Sequence, residues 1–219
     1  MSKKFLKQIS SLLAVCMIFM IMVGPVSAAE NDVGGFKASE DSTWGDLIRH
    51  FSPEEFANLP SDAQNYFDSQ RLNSGINKIE EANTLIEKNE ETLIGRTFGT
   101  VSHADGGFAK DLPIDELQVL VVVLDPSQTT IDYSAQLTSM IECPYLYVSI
   151  ALYEADSNTW IDFDSSAEVD SDSCGVDGTF TDLERRKDYR VESIAYVTPP
   201  AGYYVKNPIP PVILYPTTK

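Results

Sequence analysis

The spacing of apolar residues changes from a helical to an alternating period after Leu93, and that change most limits what this chain can fold into. Over residues 130–143, Ile131, Tyr133, Ala135, Leu137, Ile141 and Cys143 share one face, while Asp132, Ser134, Gln136, Thr138 and Glu142 share the other. Successive strand side chains point to opposite faces, so this spacing predicts a strand with one dry and one wet side. Residues 145–154 repeat the pattern with Leu146, Val148, Ile150 and Leu152 as the inward row. Asp156, Ser157 and Asn158 then turn the chain into residues 159–164, which predicts a hairpin. Residues 117–124 are apolar on both faces, as a covered central strand is. Residues 94–101 and 189–197 give two more strands. Strands separated by polar turns, with no helix between them, predict an antiparallel sandwich rather than a parallel sheet.

The helices are expected to precede the strands. Trp44, Leu47, Ile48 and Phe51 follow the i, i+3, i+4, i+7 spacing of a short amphipathic helix over residues 43–51. Ser52 then caps a second start, with Pro53 at the first helical position and Glu55 three residues after the cap, and Pro60 ends it. From Ser61 the spacing predicts a long helix to about residue 91, with Leu72, Ile79, Ile86 and Leu93 at steps of seven and Ile76 on the same seam. Asn83, Glu90 and Gly75 interrupt that stripe. Packing against neighbouring elements is therefore expected ahead of self-association through the 61–93 helix, since a coiled coil wants three or four unbroken heptads.

Ahead of all this, Lys3, Lys4 and Lys7 lead into an apolar run over residues 12–23, followed by Gly24-Pro25 and the small-residue site Val26-Ser27-Ala28. This is the pattern of a secretory signal peptide, with the mature chain starting at Ala29 or Glu30. The run is 12 residues, short of the ~20 that span a bilayer as a helix. No membrane span is expected after cleavage. The expected organisation is a signal peptide over 1–28, a flexible entry segment over 29–42, a helical segment over 43–93, a β-sandwich over 94–205 and a Pro-rich, extended tail over 206–219.

Loss of the leader's three lysines takes the formal charge from −17 to −20. Such a charge repels nucleic acid and anionic headgroups, so neither is an expected partner. An extracellular or cell-envelope ligand is expected instead, and the acidity by itself serves solubility. Cys16 leaves with the leader, so Cys143 and Cys174 remain. In an exported chain an isolated pair predicts one disulfide. Closing a loop of about 30 residues, it would stabilise the fold by about 3 to 4 kcal/mol on the chain-entropy model.

Leu183, followed six residues later by Tyr189 and then Arg190-Val191, resembles the tyrosine corner of fibronectin type III and immunoglobulin-like sandwiches. The match covers residues 183–191. Val191 stands where immunoglobulin domains carry cysteine, so a Cys143–Cys174 bridge would not be their inter-sheet disulfide. More broadly, residues 147–163 with Trp160, the Ser/Asp/Gly-rich stretch after them, and Asp188-Tyr189-Arg190-Val191 are similar to small exported bacterial sandwiches of unassigned activity. The resemblance implies fold and compartment and brings no active site. The expected fold class is thus α+β, an N-terminal helical segment followed by an antiparallel immunoglobulin-like β-sandwich.

Candidate chemistry is sparse. Asp170-Ser171-Asp172-Ser173-Cys174-Gly175 places Asp170 and Asp172 at i and i+2 with Gly at i+5, as EF-hand calcium loops do, but Cys174 and Thr181 stand at the fifth and twelfth positions. A solvated acidic loop is the simpler expectation, with calcium as the one candidate cofactor. Ser102-His103-Ala104-Asp105 holds nucleophile, base and acid side by side, whereas triads are assembled across a fold. Asp162 and Asp164 share a strand face, yet glycosidase carboxylates come from opposite sides of a cleft. Tyr145, Tyr147 and Tyr153 lie opposite the leucine row and offer a ligand-stacking face, unless the N-terminal helices cover it. Cover is the preferred expectation, because a bare apolar face invites association. The functional expectation is an exported, non-enzymatic surface or secreted protein. A secreted hydrolase with carboxylates converging in the fold, and a self-associating structural protein, are the alternatives.

Overall fold

Two very long strands organise the molecule. In the computed structural model, which describes residues 35–72, 85–88, 92–103, 116–154, 157 and 159–219, β5 (Ile131–Glu154) and β6 (Thr159–Phe180) form one antiparallel hairpin of 24 and 22 residues. Along its other edge β5 pairs first with β4 (Glu116–Pro126), from Pro126↔Ile131 to Gln118↔Ser139. It then pairs with β7 (Arg190–Thr198), from Tyr145↔Thr198 to Tyr153↔Arg190. The β5–β6 register shifts between Thr138 and Cys143, where β5 changes partner. A bulge there bends the strand, and Pro144, which has no N–H to give, falls between the two ladders. The predicted strands 130–143 and 145–154 are therefore one strand with a bulge.

From this fork the sheet continues in two directions. β4 leads to β3 (Leu93–His103), whose far edge takes β2 (Leu85–Lys88) and β8 (Tyr203–Asn207). β7 leads to β9 (Val212–Leu214), and β1 (Phe36–Lys37) closes the free edge of β6. Gly95 of β3 lies so close under β9 that a Cβ there would stand 2.5 Å from Val212. One core unites the inward residues: Leu120, Val122 and Leu124 from β4, both halves of β5, Val191 and Ala195 from β7, and Val212 and Leu214 from β9. The fold is mostly antiparallel sheet with a few short helices, an architecture compatible with a β-sandwich.

Burial along β5 records what covers each half. From Ile131 to Ser139 buried and exposed residues alternate, whereas Leu146 to Tyr153 are buried without a break. The second half has helices on its outer face. Among the described residues these are α1 (Trp44–Phe51), α2 (Pro53–Asn58) and α3 (Ser61–Ser69). α1 begins at a capping box: the Thr43 hydroxyl accepts the Asp46 N–H at 3.2 Å, and the Asp46 carboxylate accepts the Thr43 N–H at 3.0 Å. Trp44, Leu47, Ile48, Phe56 and Phe67 pack with Tyr147, Ala151, Trp160 and Ile194 into a second core. Each buried Leu, Ile or Phe among them contributes about 1.5 to 3 kcal/mol of apolar burial.

The long helix is corrected by the structure, because α3 stops at Ser69. Gln70 turns extended, its carbonyl accepts the Trp44 N–H at 2.8 Å, and the Leu72 N–H donates to Ser42 at 3.0 Å. These bonds tie the chain back to the start of α1 and leave nothing to extend the helix. Leu72 is buried beside α1, Ile86 falls in β2 and Leu93 opens β3, so the step-of-seven seam is no helix face. Ile76 and Ile79 lie outside the described residues. In the entry segment, Phe36 and Lys37 pair with Trp160 and Thr159, so this part of it is held in the sheet. The Pro-rich tail over 206–219 is extended, its first two residues ending β8 and Val212–Leu214 forming β9 at a sheet edge. Among the described residues no helix is long and apolar enough to cross a membrane.

Candidate functional site

Where β5 leaves β4 for β7, the ends of those two strands part and open a crevice of 190 Å³. β7 supplies Ala195, Tyr196 and Val197, β4 supplies Gln118, and α3 supplies Tyr66. Val205 of β8 and the following Pro208 and Ile209 complete the lining. The Tyr66 and Tyr196 rings meet at 5.3 Å and 48°. The Tyr196 hydroxyl donates to Asp62 at 2.8 Å. Burial pushes both phenols up to about 12, so they stay protonated at neutral pH.

Gln118 is the unusual member. It belongs to the inward row Gln118, Leu120, Val122, Leu124, where the other three are apolar core residues. The residue is 1% exposed, and its Nε2, sealed from solvent, has no hydrogen-bond partner among the described residues. An unmade buried donor costs about 1 to 3 kcal/mol, which an apolar residue at the same position would avoid. The sequence signal for it was present: one amide inside the otherwise apolar run 117–124. Apolarity on both faces masked it.

The predicted site residues fall elsewhere. Tyr147 and Tyr153 lie beneath the helices at 0% and 4% exposure and are removed from any ligand-facing surface, while Tyr145 is partly buried against the same cluster. The helices need that face to bury Phe67 and Trp44, which is why the tyrosines are covered. Cys143 and Cys174 are both buried free thiols, so the expected bridge is not made. Cys143 stands opposite Ser171, three positions along β6 from Cys174. The Cys143 thiol lies 3.5 Å from the Ser139 hydroxyl, and that of Cys174 donates to the Ser166 carbonyl at 3.3 Å.

The acidic stretch at Asp170 and Asp172 is no loop. It runs within β6, with both residues exposed and Asp170 at φ 50°. Among the described residues no group of three or more His, Cys, Asp or Glu side chains is gathered as metal ligands. Ser102 and His103 are consecutive in β3 and so point to opposite faces; Asp105 lies outside the described residues.

Asp162 and Asp164 gain a third carboxylate as neighbour from α2. Ser165 donates to Glu55 with both carboxylate oxygens at 2.7 Å, and the Tyr133 hydroxyl donates to Asp164 at 2.7 Å. Burial, reinforced by the Asp164 charge and opposed by the Ser165 hydrogen bond, raises the Glu55 carboxyl above its ordinary value. This cluster clasps α2 to β6. A second cleft, of 290 Å³, is lined by Glu154, Asp162, Asp182 and Glu184. Lys187 bonds both Glu154 and Glu184 beside it.

Against known proteins, no family model matches this chain and no curated protein matches it.

Proposed function

We propose that the chain is an exported, non-enzymatic binding module built as an immunoglobulin-like β-sandwich, secreted or held at the cell envelope, that takes its ligand in the crevice at the strand fork. The observation that carries this reading is the fork crevice itself, a concave and largely apolar lining to which Gln118, Tyr66 and Tyr196 add polar groups. Sites of that composition, a concave apolar lining with one or two placed polar groups, are how proteins hold small ligands. The leader over 1–28 supports export. The Tyr189 hydroxyl accepts the Glu184 backbone N–H, which supports the immunoglobulin-like architecture. Tyr66 and Tyr196 remain protonated and supply contact surface rather than a base, which favours recognition over hydrolysis.

The test uses the full chain expressed with its leader in a secreting bacterium. The expected outcome is protein outside the cytoplasm beginning at Ala29 or Glu30, whose melting midpoint rises on mixing with an apolar extract of cell envelope, because a ligand of the folded state stabilises it by mass action. Intact Met1 on cytosolic protein overturns export. An unmoved midpoint overturns binding, and turnover of an envelope polymer by the purified chain overturns the non-enzymatic assignment.

A further inference from the structure

Resting on the reading of the fork crevice as a ligand site, we propose that its occupant is a short extended peptide of a partner protein, which adds its main chain to the open edge of β7 and sets one apolar side chain in the crevice. The edge is the first observation. β9 pairs with β7 only from Val191↔Leu214 to Ser193↔Val212, so among the described residues the far edge of β7 has no strand beside it from Ile194 to Thr198. The crevice lies along this stretch, because Ala195, Tyr196 and Val197 all line it. Ala195 and Val197 belong to the inner core, whereas Tyr196 packs toward the helices. Neighbouring strand residues point to opposite faces, so a cavity that meets three in a row meets the edge of the strand. An unpaired edge presents a row of N–H and C=O groups, the template for a further strand.

The sequence explains why the chain does not close this edge with β9. Continued past Ser193↔Val212, the register would set Pro211, Pro210, Ile209 and Pro208 against Ile194, Ala195, Tyr196 and Val197. Three prolines there have no N–H to give to β7. The segment goes to β3 instead: the Pro210 carbonyl accepts from the Thr97 hydroxyl at 2.9 Å, and a Cβ on Gly99 would stand 3.0 Å from the Ile209 backbone nitrogen. The crevice of 190 Å³ left between these walls exceeds the ~150 Å³ apolar cavity that holds benzene, so it takes one side chain of Leu or Phe size. Ala195, Val197, Val205 and Ile209 give that side chain apolar contact. Main chain on a sheet edge and a side chain in a pocket beside it are the two halves of recognition by strand addition. Charge selects the flanks. The chain carries a formal charge of −17, and Asp62 stands beside the crevice on the Tyr196 hydroxyl, so an acidic segment is repelled and a basic one attracted.

The experiment titrates the exported full-length protein with four acetylated and amidated pentapeptides, Lys-Thr-X-Thr-Lys with X as Leu, Ile, Phe or Tyr. Binding is followed by the amide signals of residues 194–198 and by their hydrogen-exchange rates. The expected result is saturable shifts at Ala195, Tyr196 and Val197, slowed exchange at alternate amides, and a Kd for the best peptide about tenfold or more below that of the copy with Gly as X, as burial of one apolar side chain gives. Two further copies of the best peptide are N-methylated, one at odd and one at even positions. One copy should bind about tenfold more weakly and the other as before, since a strand turns alternate N–H groups to each neighbour. Val205→Trp, at a 38% exposed position of the lining, should fill the crevice and abolish binding while the melting midpoint stays in place. Equal effects of the two methylation patterns, binding that survives in Val205→Trp, or no shift with any of the four peptides overturns the proposal. Ethylbenzene separates its failure from that of the reading beneath it. Shifts of Val197 and Val205 with this probe where the peptides give none leave the crevice as a small-molecule site, and no shift with any probe at millimolar concentration overturns both.

Discussion

The hydroxyl of Tyr189 accepts the backbone N–H of Glu184 at 2.9 Å, five residues upstream, while its ring lies in the core shared by both ladders. The segment between β6 and β7 is thereby pinned at the end of the core. Tyr189→Phe keeps the ring and strands a partly buried N–H. The expected loss is about 1 kcal/mol of unfolding free energy with an unchanged denaturant slope. A urea midpoint equal to that of the unaltered chain would show that the hydroxyl holds nothing.

Arg190 and Glu192 form a buried ion pair at 3% and 2% exposure, with the guanidinium 5.4 Å from the Tyr153 ring centroid and 5.8 Å from that of Trp160. Burial raises the Glu192 carboxyl, and Arg190 opposes that rise. Removing one partner leaves the other charge uncompensated, so Arg190→Met or Glu192→Leu alone is expected to cost about 3 to 5 kcal/mol. The double variant should recover most of that loss. Additive losses in a double-mutant cycle by chemical denaturation would contradict the pairing.

Glu55 links the helices to β6 through Ser165, and its folded-state carboxyl titrates above the ordinary value because of burial. A carboxyl raised on folding ionises more readily in the unfolded chain. Stability is therefore lost as pH climbs from the unfolded value toward the raised folded one, and stays lost above it. Glu55→Gln has no such titration. The stability of the variant relative to the unaltered chain should rise across that window, and a difference flat from acid to neutral pH would refute the raised carboxyl.

Both thiols are buried, and burial raises each above the ordinary cysteine value. Thiolate is the reactive form, so neither should react with a disulfide reagent such as DTNB until the chain unfolds. A reductant should leave the melting midpoint where it is. A midpoint that drops on reduction would mean that the cysteines are joined.

Local chemistry was legible in the sequence where it decides structure by itself. The 3.6-residue spacing of Trp44, Leu47 and Ile48 gave α1, and the alternation from Ile131 to Leu137 gave the first half of β5. The Leu183–Tyr189 spacing marked a hydroxyl-to-backbone bond that is formed. What the sequence concealed depends on tertiary partners. Leu72 fits a heptad as well as it fits a pocket beside α1, and only the bonds from residues 70–72 back to 42–44 decide between them. Residues 165–175 look like a polar loop, yet they extend β6 because β5 runs alongside and pairs with them. Gln118 stands out in the run 117–124 as its one amide, but its place at the crevice depends on the parting of β4 from β7, which no local pattern encodes.

One hairpin serves both branches of the sheet, and this leaves the molecule no seam along which half of it could be shed. β4 and β7 lean on successive halves of one continuous strand and share one core, so melting should proceed as a single all-or-none event. The cost falls on folding speed, since residues as distant as Leu93 and Leu214 meet in one core and must be brought together before it closes.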